Sequence, residues 1–493
     1  MQPVYLAALR SWAIPPAATF AVIVTALVYL RGWWLLRRAG SPAVPPWRAV
    51  MFLAGLLTLW IALASPMDVF NSFLLTAHML QHMLLMMVAP PLILLGAPLI
   101  PLVRGLPIFA AREFAGPFLN WPVATRVGRA LTHPVVALLL MGAAMFAWHT
   151  PALYELALRS AAWHQFEHAC FFLTSLIFWW PVIQPWPSRP HWPRWAMVPY
   201  LLVADLQNTV LSAILAFSDR VLYPSYAAAP RLFGLSPLED QVASGAVMWV
   251  LGSVAFLIPA IVIAVQCLSK KPAAIAPPPK RGPTLLETLL PDRVSLPFSL
   301  PFKRLKPNSP GFEALIFVAF FLITGIGFAA LLTSGDSDED SQAVVWSGIN
   351  GPFLLTVFGP SEELRSGPNS LSVLVQDAKT SEPLLDAKAE LLARPSGGGE
   401  PLVMERVESE NALLQTMEVN LPNPGRWEFQ IAVQDEARTA SAKFPLPVAK
   451  AEAEIQFRWA YVGLAVLAAI LCFSYLRRSR ATKSADVQQT VAS

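Results

Sequence analysis

The sequence predicts a polytopic α-helical membrane protein of about nine spans, a seven-helix bundle plus two, with an extracytoplasmic all-β Ig-like sandwich domain. Three observations predict it. Of 493 residues, 55% are hydrophobic and only 14% charged, where soluble domains carry about 25% charged residues; mean hydropathy is +0.50. Apolar runs long enough to cross a bilayer, roughly 20 residues, occur nine times. Between the eighth and ninth runs the chain changes to short alternating segments broken by turn residues. The net charge of +4 is small and gives a nucleic-acid partner no support.

The first span covers 13–36 and ends in Trp33, Trp34, Arg37 and Arg38. That is an interfacial anchor rather than the short apolar core and small-residue cleavage site of a signal peptide. Spans at 48–66, 72–98, 133–150, 161–182, 196–217 and 241–268 complete a seven-span module over residues 1–268. The segment 269–312, with "KKPAAIAPPPKRGPT", is proline-rich and basic, and reads as a linker beside an anionic leaflet. Span eight is expected at 313–333, span nine at 457–476 and a tail at 477–493.

Basic residues orient the spans. Arg31, Arg37, Arg38 and Arg48 lie between spans one and two; Arg104, Arg112, Arg126 and Arg129 between three and four; Arg189 and Arg194 between five and six. Eight more lie between seven and eight, and Arg477, Arg478, Arg480 and Lys483 follow span nine. The alternate loops are poor in basic residues, so the positive-inside rule puts the N-terminus outside and the C-terminus in the cytoplasm of a bacterial inner membrane.

Residues 334–456 open with the acidic "GDSDEDSQ" and continue as "FLLTVFG", "LSVLVQDA", "DAKAELLA", "LLQTMEVNL" and "RWEFQIAVQD", separated by turns such as "PSGGGE" and "LPNPGR". Short strands at regular spacing predict a sandwich. It has neither His nor Cys, so a metal site on its own side chains is not expected.

Five of the seven histidines fall at one depth on three consecutive spans. His78 and His82 are four residues apart in span three, as are His164 and His168 in span five; residues so spaced share a helix face. His149 stands at the end of span four. Ionisable side chains inside a membrane are costly and mark functional sites. Met79, Met83, Met86 and Met87 surround the first pair, and Met86 shares the face of His82. Imidazole with thioether suits a soft ion, Cu(I) first. His78, His82, His149, His164, His168 and Met86 are therefore the candidate metal ligands. Glu167 is expected behind the imidazoles as an orienting carboxylate, with Asp240 and Gln241 at the outer mouth, where N-capping and first-turn placement at span seven is an equal reading. Asp205 and Gln207 lie deeper in span six, where a proton path and a helix–helix hydrogen bond are equal readings. Pro90 and Pro91 are expected to kink span three and splay its outer half. His133 is expected to cap a helix at the opposite interface, and His191 to lie in a loop. Cys170, Cys267 and Cys472 form no CxxC pair, which argues against a disulfide framework or thiolate site.

The stretch "AHMLQHMLLMMVAPPLILLGAP" resembles the signature of the multi-span CtaG-type (caa-oxidase branch) cytochrome c oxidase assembly factors. The likeness continues through "AWHTPALYELAL", "WHQFEHACFFLTSLIFWWPV", "DRVLYPSY" and "SPLEDQVASGAVMWV", about Trp47 to Val265. It implies copper delivery during respiratory-chain assembly, with the five histidines and the Asp240–Gln241 pair as the matching positions. The β domain is more weakly similar to FixH/YtkA-like domains, on "GPFLLTVFGP", "SGPNSLSVLVQDA" and "LPNPGRWEFQIAV".

The leading reading is thus a non-enzymatic assembly factor that binds copper, as Cu(I), at the outer face. It passes the metal to a copper-bearing oxidase subunit, with the β domain docking that subunit or a periplasmic copper chaperone. No hydrolytic triad, phosphate loop or redox cysteine pair argues for an enzyme. The competing readings are a b-type haem or quinone-linked redox protein, for which paired histidines on one helix are a poor axial set, and a copper transporter, which needs ligands along its whole path.

Overall fold

The computed structural model describes residues 3–12, 14–107, 122–188, 191–269, 343–360, 364–407, 409, 411–436 and 438–450. The expected spans eight and nine, the linker beyond residue 269 and the C-terminal tail lie outside the described residues.

The N-terminal half contains six to seven candidate spans. We number them α1 (Pro16–Arg38), α2 (Pro46–Ala64), α3 (Leu75–Leu95), α4 (Pro134–Trp148), α5 (Ala161–Ile183), α6 (Met197–Phe217) and α7 (Pro237–Ser269). Six are long and apolar enough to cross a membrane alone; α4 qualifies only together with the short helix Pro151–Leu158, from which it bends by 72°. Helices α1, α2, α4 and α7 each begin on a proline, whose fixed φ suits the first turn and whose missing N–H costs nothing there. Phe20 and Leu27 on α1, Leu206 and Ile214 on α6, and Val250 and Ile258 on α7 are exposed, as a lipid-facing surface requires. Helices α3 and α5 are the most enclosed, with 67% and 72% of their apolar windows buried. They carry four of the five clustered histidines.

Helix α3 is not a uniform helix. Pro90 and Pro91 have no N–H to give the carbonyls of Met86 and Met87. The ladder widens into a π-turn over Leu84–Val88, closed by a bond from the Ala89 N–H to the Leu84 carbonyl. The Met86 carbonyl accepts instead from Trp179 Nε1 of α5, at 3.0 Å. The irregularity takes the form of a π-turn, and α3 runs as a single candidate span to Leu95. Close approach elsewhere depends on glycine. A Cβ on Gly32 of α1 would run into the Pro101 carbonyl, and one on Gly105 into the Val28 carbonyl.

The C-terminal part is an all-β, two-sheet domain. Its strands are β1 (Ala343–Asn350), β2 (Phe353–Gly359), β3 (Leu364–Arg365), β4 (Gly367–Asp377), β5 (Lys388–Pro395), β6 (Leu402–Val403), β7 (Glu405–Val407), β8 (Gln415–Leu421), β9 (Gly425–Asp435) and β10 (Arg438–Ala449). One sheet runs β1-β2-β4-β8-β7 and the other β3-β10-β9-β5-β6. Strand alternation fills the space between them: Phe353, Leu355 and Val357 from β2, Leu371, Val373 and Val375 from β4, and Phe429, Ile431 and Val433 from β9.

The opposite face of the first sheet is also apolar at Phe358 and Leu374. These residues join Leu413 and Leu414 against Ala8, Phe70, Phe73 and Leu232 of the membrane module. Phe73 and Phe358 meet edge to face, ring centres 5.2 Å apart. Gln376 Nε2 donates to the Arg231 carbonyl at 2.9 Å, and the Ala412 N–H donates to Ser11 Oγ at 2.8 Å. The β domain therefore sits on the end of the bundle where α3 and α7 begin.

Candidate metal centre

The i, i+4 spacing does what helix geometry dictates. His78 and His82 leave one face of α3, and His164 and His168 one face of α5, and the two faces oppose each other. Ring centres are 4.2 Å apart within each pair, 5.2 Å for His78–His164 and 5.4 Å for His82–His168. His149, where α4 ends before its 72° bend, approaches from a third side, 6.4 Å from the His82 ring. All five sequence-predicted histidines thus come together. His133 and His191 do not: His133 precedes α4 without a side-chain cap, its ring edge-on to Trp192 at 5.6 Å, and His191 is exposed. His133 thus takes the expected N-cap position of α4, but only through its backbone: its side chain makes no capping hydrogen bond.

Glu167 is not behind the imidazoles but between them. Its side chain is fully buried, with Oε2 3.8 Å from His78 Nε2 and Oε1 3.9 Å from His82 Nε2. Met86 lies one turn beyond His82, buried within the π-turn.

Hydrogen bonds orient two of the rings. The Tyr226 hydroxyl donates to the Asn71 carbonyl at 2.5 Å, so its contact with His78 Nδ1 at 3.3 Å assigns the proton to that nitrogen. His149 Nδ1 is likewise committed, donating to the Met145 carbonyl at 2.7 Å. Both residues are left with a bare Nε2 lone pair facing the cluster, as a ligating imidazole presents it. Tyr154 stacks on Tyr223 at 4.0 Å and lies 5.1 Å from His78, while the Tyr223 hydroxyl donates to the His149 carbonyl at 3.1 Å. These tyrosines were missed by sequence reasoning. Their only signal was position, inside the quoted segments "ALYELAL" and "LYPSY".

Asp240 and Gln241 hold the frame rather than line the cluster. Asp240 caps α3 from a neighbouring helix: Oδ2 accepts from the Leu75 N–H at 2.6 Å and Oδ1 from the Thr76 N–H at 3.2 Å. The expectation of N-capping at span seven therefore moves to span three, where four backbone donors need partners. Gln241 accepts from the Leu222 N–H at 2.7 Å and donates to the carbonyls of Leu215 and Arg220, stitching the loop after α6. Deeper in the bundle, Asp205 accepts from Ser253 at 2.8 Å, and Gln207 packs on Gly142. Cys170 and Cys267 are free and half-buried.

The polar atoms facing one another have no hydrogen-bond partner among the described residues: Nε2 of His78, His82, His149, His164 and His168, and both carboxylate oxygens of Glu167. Buried polar atoms left bare are costly, and native structures satisfy more than nine in ten of them. A metal ion supplies what these atoms lack. Two triads, His78/His82/His168 and His78/His164/Glu167, each place one donor atom per residue within 4.8 Å of the others. Donors on one tetrahedral ion with bonds near 2 Å stand about 3.3 Å apart, so occupation requires the side chains to turn inward. The buried His/Glu clusters could hold a metal ion, and the geometry leaves its identity open.

The fold and this cluster define a multi-pass membrane protein with a candidate metal centre enclosed by its spans. Residues 27–270 match the profile of the cytochrome c oxidase caa3 assembly factors (Caa3_CtaG), and over those residues the chain is a membrane protein of that family. Uncharacterised proteins of Mycobacterium bovis and Mycobacterium tuberculosis are each 26% identical over 260 residues, 50% of this chain and 38% of the relative. One of Mycobacterium leprae is 27% identical over 242 residues, 48% of this chain and 36% of the relative. The chain thus spans well under half the length of the curated relatives it matches. No solved structure matches.

Proposed function

We propose that this protein is a caa3-type oxidase assembly factor that takes copper, as Cu(I), on its buried histidines and delivers it to a copper-bearing oxidase subunit. His78, His82, His149, His164 and His168 are the ligands, with Met86 as a thioether donor and Glu167 as the carboxylate among them. The observation that carries the reading is the set of bare ring nitrogens and carboxylate oxygens aimed at one buried volume. Imidazole nitrogens suit copper among other borderline ions, and the family match supplies the oxidase context. Tyr154 and Phe171 lie close among the imidazoles, which leaves little room for a porphyrin and disfavours the haem reading.

In this reading the basic loops face the cytoplasm and the histidine end faces outward in a bacterial inner membrane. The β domain, read as a FixH/YtkA-like unit, then stands on the outer side as the docking element for the oxidase subunit or a periplasmic copper chaperone. The test is a Cu(I) competition titration on purified protein beside a His78→Ala/His82→Ala variant. Tight binding lost in the variant supports the site; a wild type that binds no Cu(I) overturns the reading.

A further inference from the structure

We infer that the centre is built for two metal ions bridged by the Glu167 carboxylate, one on His78 and His164 and the other on His82 and His168. The inference rests on the metal-binding reading above and goes further in assigning number, partition and charge.

The partition follows from the orientation of Glu167. Its oxygens face opposite ways along the cluster, Oε2 toward His78 and Oε1 toward His82. The two possible ligand triads overlap at His78. His78 has one bare nitrogen, because Nδ1 is committed to Tyr226, so it can serve a single ion. Placing it with His164 and Oε2 leaves His82 and His168, whose donor atoms lie within 4.8 Å of each other, and Oε1, 3.9 Å from His82 Nε2, as the second set. A lone tetrahedral ion engages at most four donors. It would leave the remainder of this buried group bare, at the cost already described. Two ions use both ends of the carboxylate and all four paired imidazoles. His149, nearest to His82, stands on the side of the second ion as a further nitrogen donor.

Charge narrows the class of ion. The imidazoles bring none when they ligate, and Glu167, fully buried, brings one negative charge. Two monovalent ions leave the cluster with a single net positive charge, whereas two divalent ions leave three. Uncompensated charge inside a membrane bundle is strongly disfavoured. The centre is therefore matched to a pair of monovalent soft ions.

The test is a count. Full-length protein in detergent is loaded with Cu(I) under reducing conditions and desalted, and bound copper per chain is measured by elemental analysis. The wild type is expected to retain two equivalents. Glu167→Gln keeps the side-chain shape but loses one anionic bridging end, and is expected to retain one. His78→Ala/His164→Ala and His82→Ala/His168→Ala are each expected to retain one, with size-exclusion profile and thermal midpoint checking that the fold survives. One equivalent in the wild type overturns the two-ion inference and leaves the proposed function standing. No bound copper overturns both. Two equivalents undiminished in Glu167→Gln overturn the bridge.

Discussion

Removing the Asp240 carboxylate tests whether α3 depends on a cap supplied from another span. Asp240 is 4% exposed and accepts from two backbone N–H groups at the start of α3, at 2.6 and 3.2 Å. Hydrogen bonds to a charged acceptor contribute about 1.5–3 kcal/mol each, and a lost cap typically costs about 1 kcal/mol. Some water reaches a helix end, so Asp240→Ala is expected to cost roughly 2–4 kcal/mol. Asp240→Asn keeps one acceptor and turns an amide toward the second N–H, at roughly half that cost. The bond from Thr76 Oγ1 to the Asp240 backbone carbonyl survives both substitutions, so the difference reads the carboxylate. For a module of this size the alanine variant is expected to melt on the order of 5–15 °C lower in detergent. His78 lies one turn past the cap, so Cu(I) affinity is expected to fall about 10–100-fold, as for other groups that orient metal ligands. An Asp240→Ala protein with unchanged melting temperature and unchanged affinity would refute the reasoning.

Trp179→Phe replaces the buried indole by a smaller aromatic ring and leaves the Met86 carbonyl without a donor, since Pro90 cannot provide one; the unpaired carbonyl alone is expected to cost about 1–2 kcal/mol in thermal unfolding, with lost packing adding to it. Gly32→Ala forces α1 away from the segment Leu99–Gly105 against rigid backbone, and is expected to cost on the order of 1–3 kcal/mol and lower the yield of monodisperse protein. Phe358→Asp places a charge in the contact between the β domain and the bundle without touching the sandwich interior. It is expected to speed proteolytic release of the β domain while the strand signal in circular dichroism is retained. Asp377 is held below the usual carboxylate range by the backbone N–H groups of Lys379 and Thr380 and by Arg438. A depressed folded value means stabilisation present above the unfolded value, about 3.9, and lost as pH falls through the folded one. The β domain is expected to become more acid-labile below about pH 4, and Asp377→Asn to flatten that part of the unfolding profile followed by tryptophan fluorescence.

Membrane composition, the positions of the first seven spans and the convergence of His78, His82, His149, His164 and His168 were legible because each depends on period and order. Four-residue spacing sets a helix face, and consecutive antiparallel spans return the chain to one depth. The two-sheet β domain was legible from alternation alone. What escaped depends on contacts distant in sequence. Asp240 reaches back 165 residues to the Leu75 N–H, and no local pattern says which helix start a carboxylate will cap. Glu167 looked like a supporting group because it lies one residue from His168 and three from His164 in sequence; its place between the pairs depends on how α3 and α5 face each other. The prolines of α3 read as a kink because Trp179, which takes the freed carbonyl, belongs to another span.

The seat of the β domain has a mechanical consequence. Phe73 anchors the sheet through Phe358, and two residues later the same chain enters the turn that Asp240 caps. His78 follows within that turn, its amide N–H bonded to the Leu74 carbonyl. Domain seating and the placement of His78 thus share one short stretch of chain. A partner that pries the sheet from Phe73 would loosen the grip of the centre on its ion, and by thermodynamic reciprocity the ion would alter the hold of that partner by the same factor. On the proposed copper-delivery reading, loading and docking become two readings of one equilibrium, and copper affinity is expected to report whether a receiver is present.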